Sequence, residues 1–206
     1  MLATDISAAM LNRAAQAARE AGLTTVETGV MNAENLELDA NSFDTVLCRM
    51  GLMLFPHPLK TLTSMQGIVK QEGRVAVMAH STPASNLYHG LPLEIVRRIG
   101  RMAPPPPEQP GMFALGGPGV LEGAFRKSGL QDVSVCPVAI RRKFSSLPEA
   151  IKSMKESNAV LQDLLAKLND ADQDRAWKEI EQEMSQFESV NGFEAPGEVL
   201  IAVGTK

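Results

Sequence analysis

Two rhythms of apolar and polar positions take turns along the first eighty residues. Leu2 to Asp5 reads as the end of a buried strand that closes on an acid. From Ser7 to Gly22, Met10, Leu11, Ala14, Ala17, Ala18 and Ala21 recur at helical spacing. Ser7 is a natural N-cap for that helix and Gly22 a natural stop. Thr25 to Val30 is a short β-branched strand, and 32–42 is a polar loop with turn chemistry at Asp39-Ala40-Asn41-Ser42. FDTVLC, from Phe43 to Cys48, predicts a strand. Pro56 and Pro58 bracket His57 at the start of a helix that runs to about Val69. Gly73 predicts a turn, and RVAVMA, from Arg74 to Ala79, another buried strand. Strand and helix alternating in this way predict an α/β fold: a doubly wound, mostly parallel sheet with crossover helices.

The pattern changes after residue 82. Leu87 to Met102 reads as a helix, and Pro104 to Pro107 as a stiff spacer or lid edge. Gly116-Gly117-Pro118-Gly119 opens a helix from Val120 to Ser128, which stops at Gly129. Val133 to Ile140 predicts a strand. Ser146 to Phe187 is mostly helical, with breaks near Asn158 and Asn169-Asp170. Its acidic part, Leu164 to Phe187, reads as a solvated face. Glu198 to Gly204 predicts a last strand, placed in an antiparallel element near the C-terminus.

Composition narrows the possible partners. The 206 residues are 44% hydrophobic and carry a net charge of −4, which suits one globular domain and supplies no basic face for nucleic acid. No stretch approaches the ~20 apolar residues of a membrane span. Cys48 and Cys136 both lie in apolar, strand-like runs and read as two buried free thiols. That fits a reducing, cytoplasmic compartment. The histidines and cysteines have no metal-ligand spacing, so no metal is expected.

Several segments resemble the class I S-adenosylmethionine-dependent methyltransferases, in particular the small-molecule branch with the ubiquinone and menaquinone methylating enzymes. ATDISAAML looks like the family's second strand with the acid that holds the ribose hydroxyls. NAENLELDANSFDTVLCRMGLMLFPHP looks like the adenine-contacting loop, the fourth strand and its active-site turn. QEGRVAVMAHS looks like the fifth strand, and GPGVLEGAFRKSGLQDVSV with GEVLIAVGTK like the last helix and final strands. The resemblance implies S-adenosylmethionine as cofactor and a small apolar acceptor as substrate. It divides the single domain into a cofactor half (1–82) and a substrate and lid half (83–206). It implies cofactor contacts at Asp5, Ile6, Asn32, Ala33 and Cys48.

The chain also departs from the family pattern. No first strand and no D-x-G-x-G loop stand ahead of Asp5, so the domain reads as N-terminally truncated, with cofactor binding impaired. Asn32 stands where the family usually has Asp, and His57 where it often has Asp after "FP". A sheet without its first strand bares two edges. The expectation is that the remaining strands pair directly, or that a second copy covers Leu2, Val46 and their neighbours in a homodimer.

Each candidate residue carries two readings. Asp5 holds a ribose diol or caps the first helix. Asn32 and Ala33 meet an adenine edge or form a polar turn. Arg49, at the end of a strand, is the best candidate for a charge facing substrate, and Cys48 beside it reads as core rather than nucleophile. Met50, Leu52, Met53, Phe55 and Phe113 are candidate acceptor-pocket walls. His80 and Ser81 end another strand. As neighbours on extended chain they face opposite ways, so His80 would pair with another hydroxyl, or Ser81 with His57 or His89. Such a pairing would make a cofactor-independent esterase out of the crevice. The third possibility is a non-catalytic dimeric remnant.

Overall fold

The computed structural model describes every residue except Pro107 and Glu108, so the end of the proline run lies outside the described residues. The chain divides into two compact units. The first comprises Met1–Val77, Gly119–Val135 and Ala202–Lys206, and the second Met78–Pro118 and Cys136–Ile201.

The first unit opens with β1 (Leu2–Asp5), α1 (Ala8–Glu20) and β2 (Glu27–Val30). β1 and β2 are parallel and in register from Leu2 opposite Glu27 to Asp5 opposite Val30. The start of α1 is fixed twice: Ser7 Oγ accepts from Met10 N, and Ser7 N donates to Asp5 Oδ1 at 2.7 Å. Of the predicted apolar stripe on α1, only Leu11 and Ala18 are buried. Met10, Ala14, Ala17 and Ala21 are exposed, because the helix has only a two-stranded sheet to cover. β3 (Phe43–Arg49) leads through a 3-10 turn (Leu52–Leu54) into α2 (Pro58–Ile68), and α4 (Val120–Lys127) packs on α2. Gly119, at φ 74°, precedes α4 in the left-handed region that glycine enters without a Cβ penalty.

β4 (Val69–His80), β5 (Gln131–Phe144) and β7 (Gly192–Thr205) pass from one unit to the other, and β6 is the short Glu188–Ser189. The five-stranded sheet runs in the order β3-β4-β7-β5, with β6 antiparallel to β7. The predicted break at Gly73 is instead a kink inside β4. Glu72 takes φ 63°, Glu72 N donates to Lys206 O, and Lys206 N donates to Gly73 O. Backbone pairing with the chain's last residue carries the strand through a position where local turn chemistry predicted a stop.

Among the described residues no ladder joins β1 or β2 to β3, so the expected direct pairing of those strands does not occur. Leu2 and Val46 are half-buried, while Val30 and Leu47 stand open, Leu47 at 73%.

The core of the second unit is helical. α3 (Leu87–Ile99) meets α6 (Ala159–Leu165) and α7 (Asp170–Met184), and α5 (Leu147–Ser157) meets α7. Tyr88, Leu93, Val96, Met154, Leu161, Ile180, Met184 and Phe193 pack there. The breaks predicted at Asn158 and Asn169 are N-caps, accepting from Leu161 N and Asp172 N.

Candidate functional site

In the first unit the parallel register of β1 and β2 brings two chain ends to one side. Asp5 lies opposite Val30, Met31 N donates to Asp5 O at 3.1 Å, and Asn32 follows at once. Both readings of Asp5 fit this geometry. Its Oδ1 accepts the Ser7 amide, and a carboxylate with about four acceptor sites keeps the others for a second partner. Asn32 Oδ1 accepts Glu34 N at 2.9 Å and Asn32 O accepts Asn35 N, so the Asn32-Ala33 segment is a polar turn. Ile6 is exposed at the mouth of the β1–α1 connection.

Sequence reasoning missed Glu34. Its Oε1 accepts His57 N at 2.8 Å and lies 3.6 Å from His57 Nδ1, which ties the Asn32 turn to the start of α2. An acid two residues beyond Asn32 was the available signal. His57 is otherwise solvent-exposed.

β3 ends in Cys48-Arg49-Met50. Burial pushes the Cys48 thiol up, opposed only in part by the backbone amides of Leu52 and Gly51, so it stays protonated at neutral pH. Cys136 is exposed, contrary to the reading of two buried thiols, because it lies on β5, the last strand in the sheet order. Arg49 is exposed and has no ion-pair partner among the described residues. Met50 takes φ 57°, an uncommon conformation for a side chain with a Cβ, and redirects the chain after β3. Leu52 and Met53 are buried in the core and do not line an open wall.

The second unit gathers the other polar candidates. His80 is buried at the end of β4, and Ser81 after it is buried too. Ser81 Oγ accepts from Asn86 Nδ2 at 3.3 Å, and no histidine bonds it among the described residues. Asn86 is 2% exposed and does more: Nδ2 also donates to Thr82 O and Glu198 O, and Oδ1 accepts Glu198 N at 3.0 Å. Gly116 lies so close to this turn that a Cβ there would stand 2.1 Å from Ser81 O.

The His80 ring lies 5.5 Å from the His89 ring and 6.0 Å from Phe113. His89 meets Tyr88 edge-on at 4.8 Å. Nδ1 of both histidines is buried without a partner. Burial holds both imidazoles below the usual histidine range, His89 at about 4, with Arg142 and His80 adding to its shift. Phe113 therefore belongs with His80 in the second unit, whereas Met50, Leu52, Met53 and Phe55 belong to the first.

Among the described residues no group of three or more His, Cys, Asp or Glu is arranged to hold a metal, and no helix is long and apolar enough to cross a membrane.

The class defined by this fold is α/β with an acid ending its first strand. Residues 1–77 match the family model described as a methyltransferase domain. The ubiquinone/menaquinone biosynthesis C-methyltransferase UbiE of Enterobacter sp. (strain 638) is 32% identical over 103 residues, which are 48% of this chain and 41% of that protein. The chain thus spans less than half the length of that curated relative. The YcgJ protein of Bacillus subtilis superposes with a TM-score of 0.62 at 16% identity, covering 100% of this chain and 81% of that one. Phosphoethanolamine N-methyltransferase 2 of Haemonchus contortus, solved with S-adenosyl-L-methionine, gives 0.54 at 17% identity over 100% of this chain and 43% of that one. Residues 1–77 are thus similar to the methyltransferase domain family, and the chain has a methyltransferase-like α/β fold.

Proposed function

We propose that this chain serves methyl transfer from S-adenosylmethionine to a small apolar acceptor. Residues 1–82 carry the cofactor half and 83–206 the substrate half. Asp5 and Ile6 face the ribose, Asn32 and Ala33 the adenine edge, and Cys48 lies beside them as packing. The polar candidates for the acceptor are Arg49 and His57 on the first unit and, separately, His80 and Ser81 on the second. The observation that carries this reading is the register of β1 and β2, which sets the Asp5 carboxylate and the Asn32 turn at the same strand ends. The cofactor, when bound, supplies an electrophilic methyl group. The protein's part is positioning, with a base only where the acceptor needs one. No observation favours the esterase reading, since Ser81 is engaged by Asn86.

The D-x-G-x-G motif does not occur within these 206 residues. Two or three missing hydrogen bonds to the cofactor's charged groups, at ~1.5–3 kcal/mol each, weaken binding by orders of magnitude. The chain as it stands is therefore expected to bind S-adenosylhomocysteine weakly. Amide NMR during a titration tests the assignment. Shifts confined to residues 5–7, 30–34 and 48–51 support it, and shifts elsewhere alone contradict it.

A second copy of this chain is proposed as partner. Ile6, Met10, Leu23, Val30 and Leu47 are all exposed on the first unit, a density of apolar side chains that favours association. Light scattering is expected to give a dimer at micromolar concentration. A monomer throughout would contradict this.

A further inference from the structure

The His80–His89 pair has no explanation in the fold. A buried polar atom without a partner costs ~1–3 kcal/mol, and native structures rarely keep two side by side. Here Nδ1 of His80 and Nδ1 of His89 are both unpartnered, on rings whose centroids are 5.5 Å apart. Phe113 stands against His80 and Tyr88 against His89, with the Asn86 side chain also near the His80 ring. Tyr88 is not free to serve them, because its hydroxyl donates to Ala150 O at 3.0 Å. Arg142 lies over the Tyr88 ring, 5.7 Å from its centroid, and opposes a further positive charge nearby.

We propose that His80 and His89 form a ligand site selective for an uncharged molecule that carries a hydroxyl group on an apolar body. A neutral imidazole both accepts and donates, so two of them match a hydroxyl, which does the same. An ammonium group is disfavoured by desolvation and by Arg142. A carboxylate loses its hydration on entering a buried site, a cost that attraction to Arg142 offsets only in part. Phe113 supplies apolar contact for the body of the ligand. His89 enters here as a specificity residue that works beside His80, nine positions along the chain on a different element.

This rests on the acceptor being handled in the second unit. The test uses no cofactor, so ligand binding and methyl transfer are free to fail separately. Four matched probes are titrated into the 206-residue chain at neutral pH: benzyl alcohol, toluene, benzoate and benzylamine. The nitrogen resonances of the three histidine rings are read by NMR, with exposed His57 as internal reference. Benzyl alcohol is expected to shift the His80 and His89 ring nitrogens and leave those of His57. It is expected to bind about tenfold more tightly than the other three, the effect of one hydrogen bond of ~1.4 kcal/mol. In His89→Leu and His80→Gln, with circular dichroism confirming the fold, the preference for the alcohol over toluene is expected to vanish. Equal binding of all four probes, binding that leaves both rings unshifted, or no binding of any probe overturns the proposal. So does a preference that survives in both variants.

Discussion

Replacing Asn86 with alanine is expected to destabilise the protein by about 3–5 kcal/mol, the cost of leaving several buried polar groups unpaired at once. The side chain is 2% exposed and joins three segments. It donates to Thr82 O and Glu198 O, accepts from Glu198 N, and reaches Ser81 Oγ. Glu198 O accepts Ser81 N as well, so Asn86 stands where β7, the end of β4 and the start of α3 meet within the second unit. Truncation orphans the Glu198 amide and loosens the turn that carries His80. Thermal unfolding is expected to shift down by about 10 °C for a chain of this size. Ser81→Ala, which removes a single 3.3 Å contact, is expected to cost less than about 1 kcal/mol. Equal effects of the two substitutions would show that Asn86 is not the joint.

Acid is expected to destabilise the protein well before its carboxylates protonate. His89 is held at about 4 in the folded chain, against ~6.5 when unfolded, by burial first and then by His80 and Arg142. His80 is shifted in the same direction by burial, with the Asn86 amide opposing and Arg142 assisting. For a depressed histidine the folded state binds fewer protons than the unfolded one. Its stability is therefore intact above ~6.5 and drains away as the pH falls from there toward 4. The difference for His89 is worth up to about 3 kcal/mol. Asp44, Glu149 and Glu194 are all held below the usual carboxylate range by their partners, so their contribution to the loss falls toward the acid end of this window and beyond it. Urea unfolding at several pH values is expected to show the loss in the wild type and a shallower slope in His89→Gln. A flat profile between pH 7 and 5, or an unchanged slope in the variant, would contradict this account of the pair.

The helices were legible in the sequence because their signals are local. Ser7, Asn158 and Asn169 each bond an amide three residues on, within one stretch of chain. The strands were legible as to place and poorly legible as to length. β5 and β7 run to 14 residues each, far beyond the predicted cores, and β4 begins at Val69, because pairing with distant chain extends them. The site divides in the same way. Asp5, Arg49 and His80 showed themselves by ending strands. Asn86 did not, because its meaning lies in Glu198, 112 residues away. His89 was visible as a possible partner for Ser81, yet the fold sets it against His80. The exposed stripe on α1 was misread because helical spacing tells which face is apolar, and only the neighbouring strands decide how much of it is covered.

The most direct test of the central claim, that Asp5 and the Asn32 turn form the ribose and adenine side of an S-adenosylmethionine site, is calorimetry of S-adenosylhomocysteine with the wild-type chain and with Asp5→Ala. The Ser7 amide holds one oxygen of Asp5, so helix capping and ribose binding both depend on this carboxylate. Circular dichroism and an Asp5→Asn variant, which keeps the cap acceptor, separate the two. The account predicts weak binding to the wild type, no tighter than about 100 μM. It predicts a further loss of about tenfold or more in Asp5→Ala and in Asp5→Asn while the fold is retained. Low-micromolar binding, or affinity indifferent to both substitutions, would contradict it.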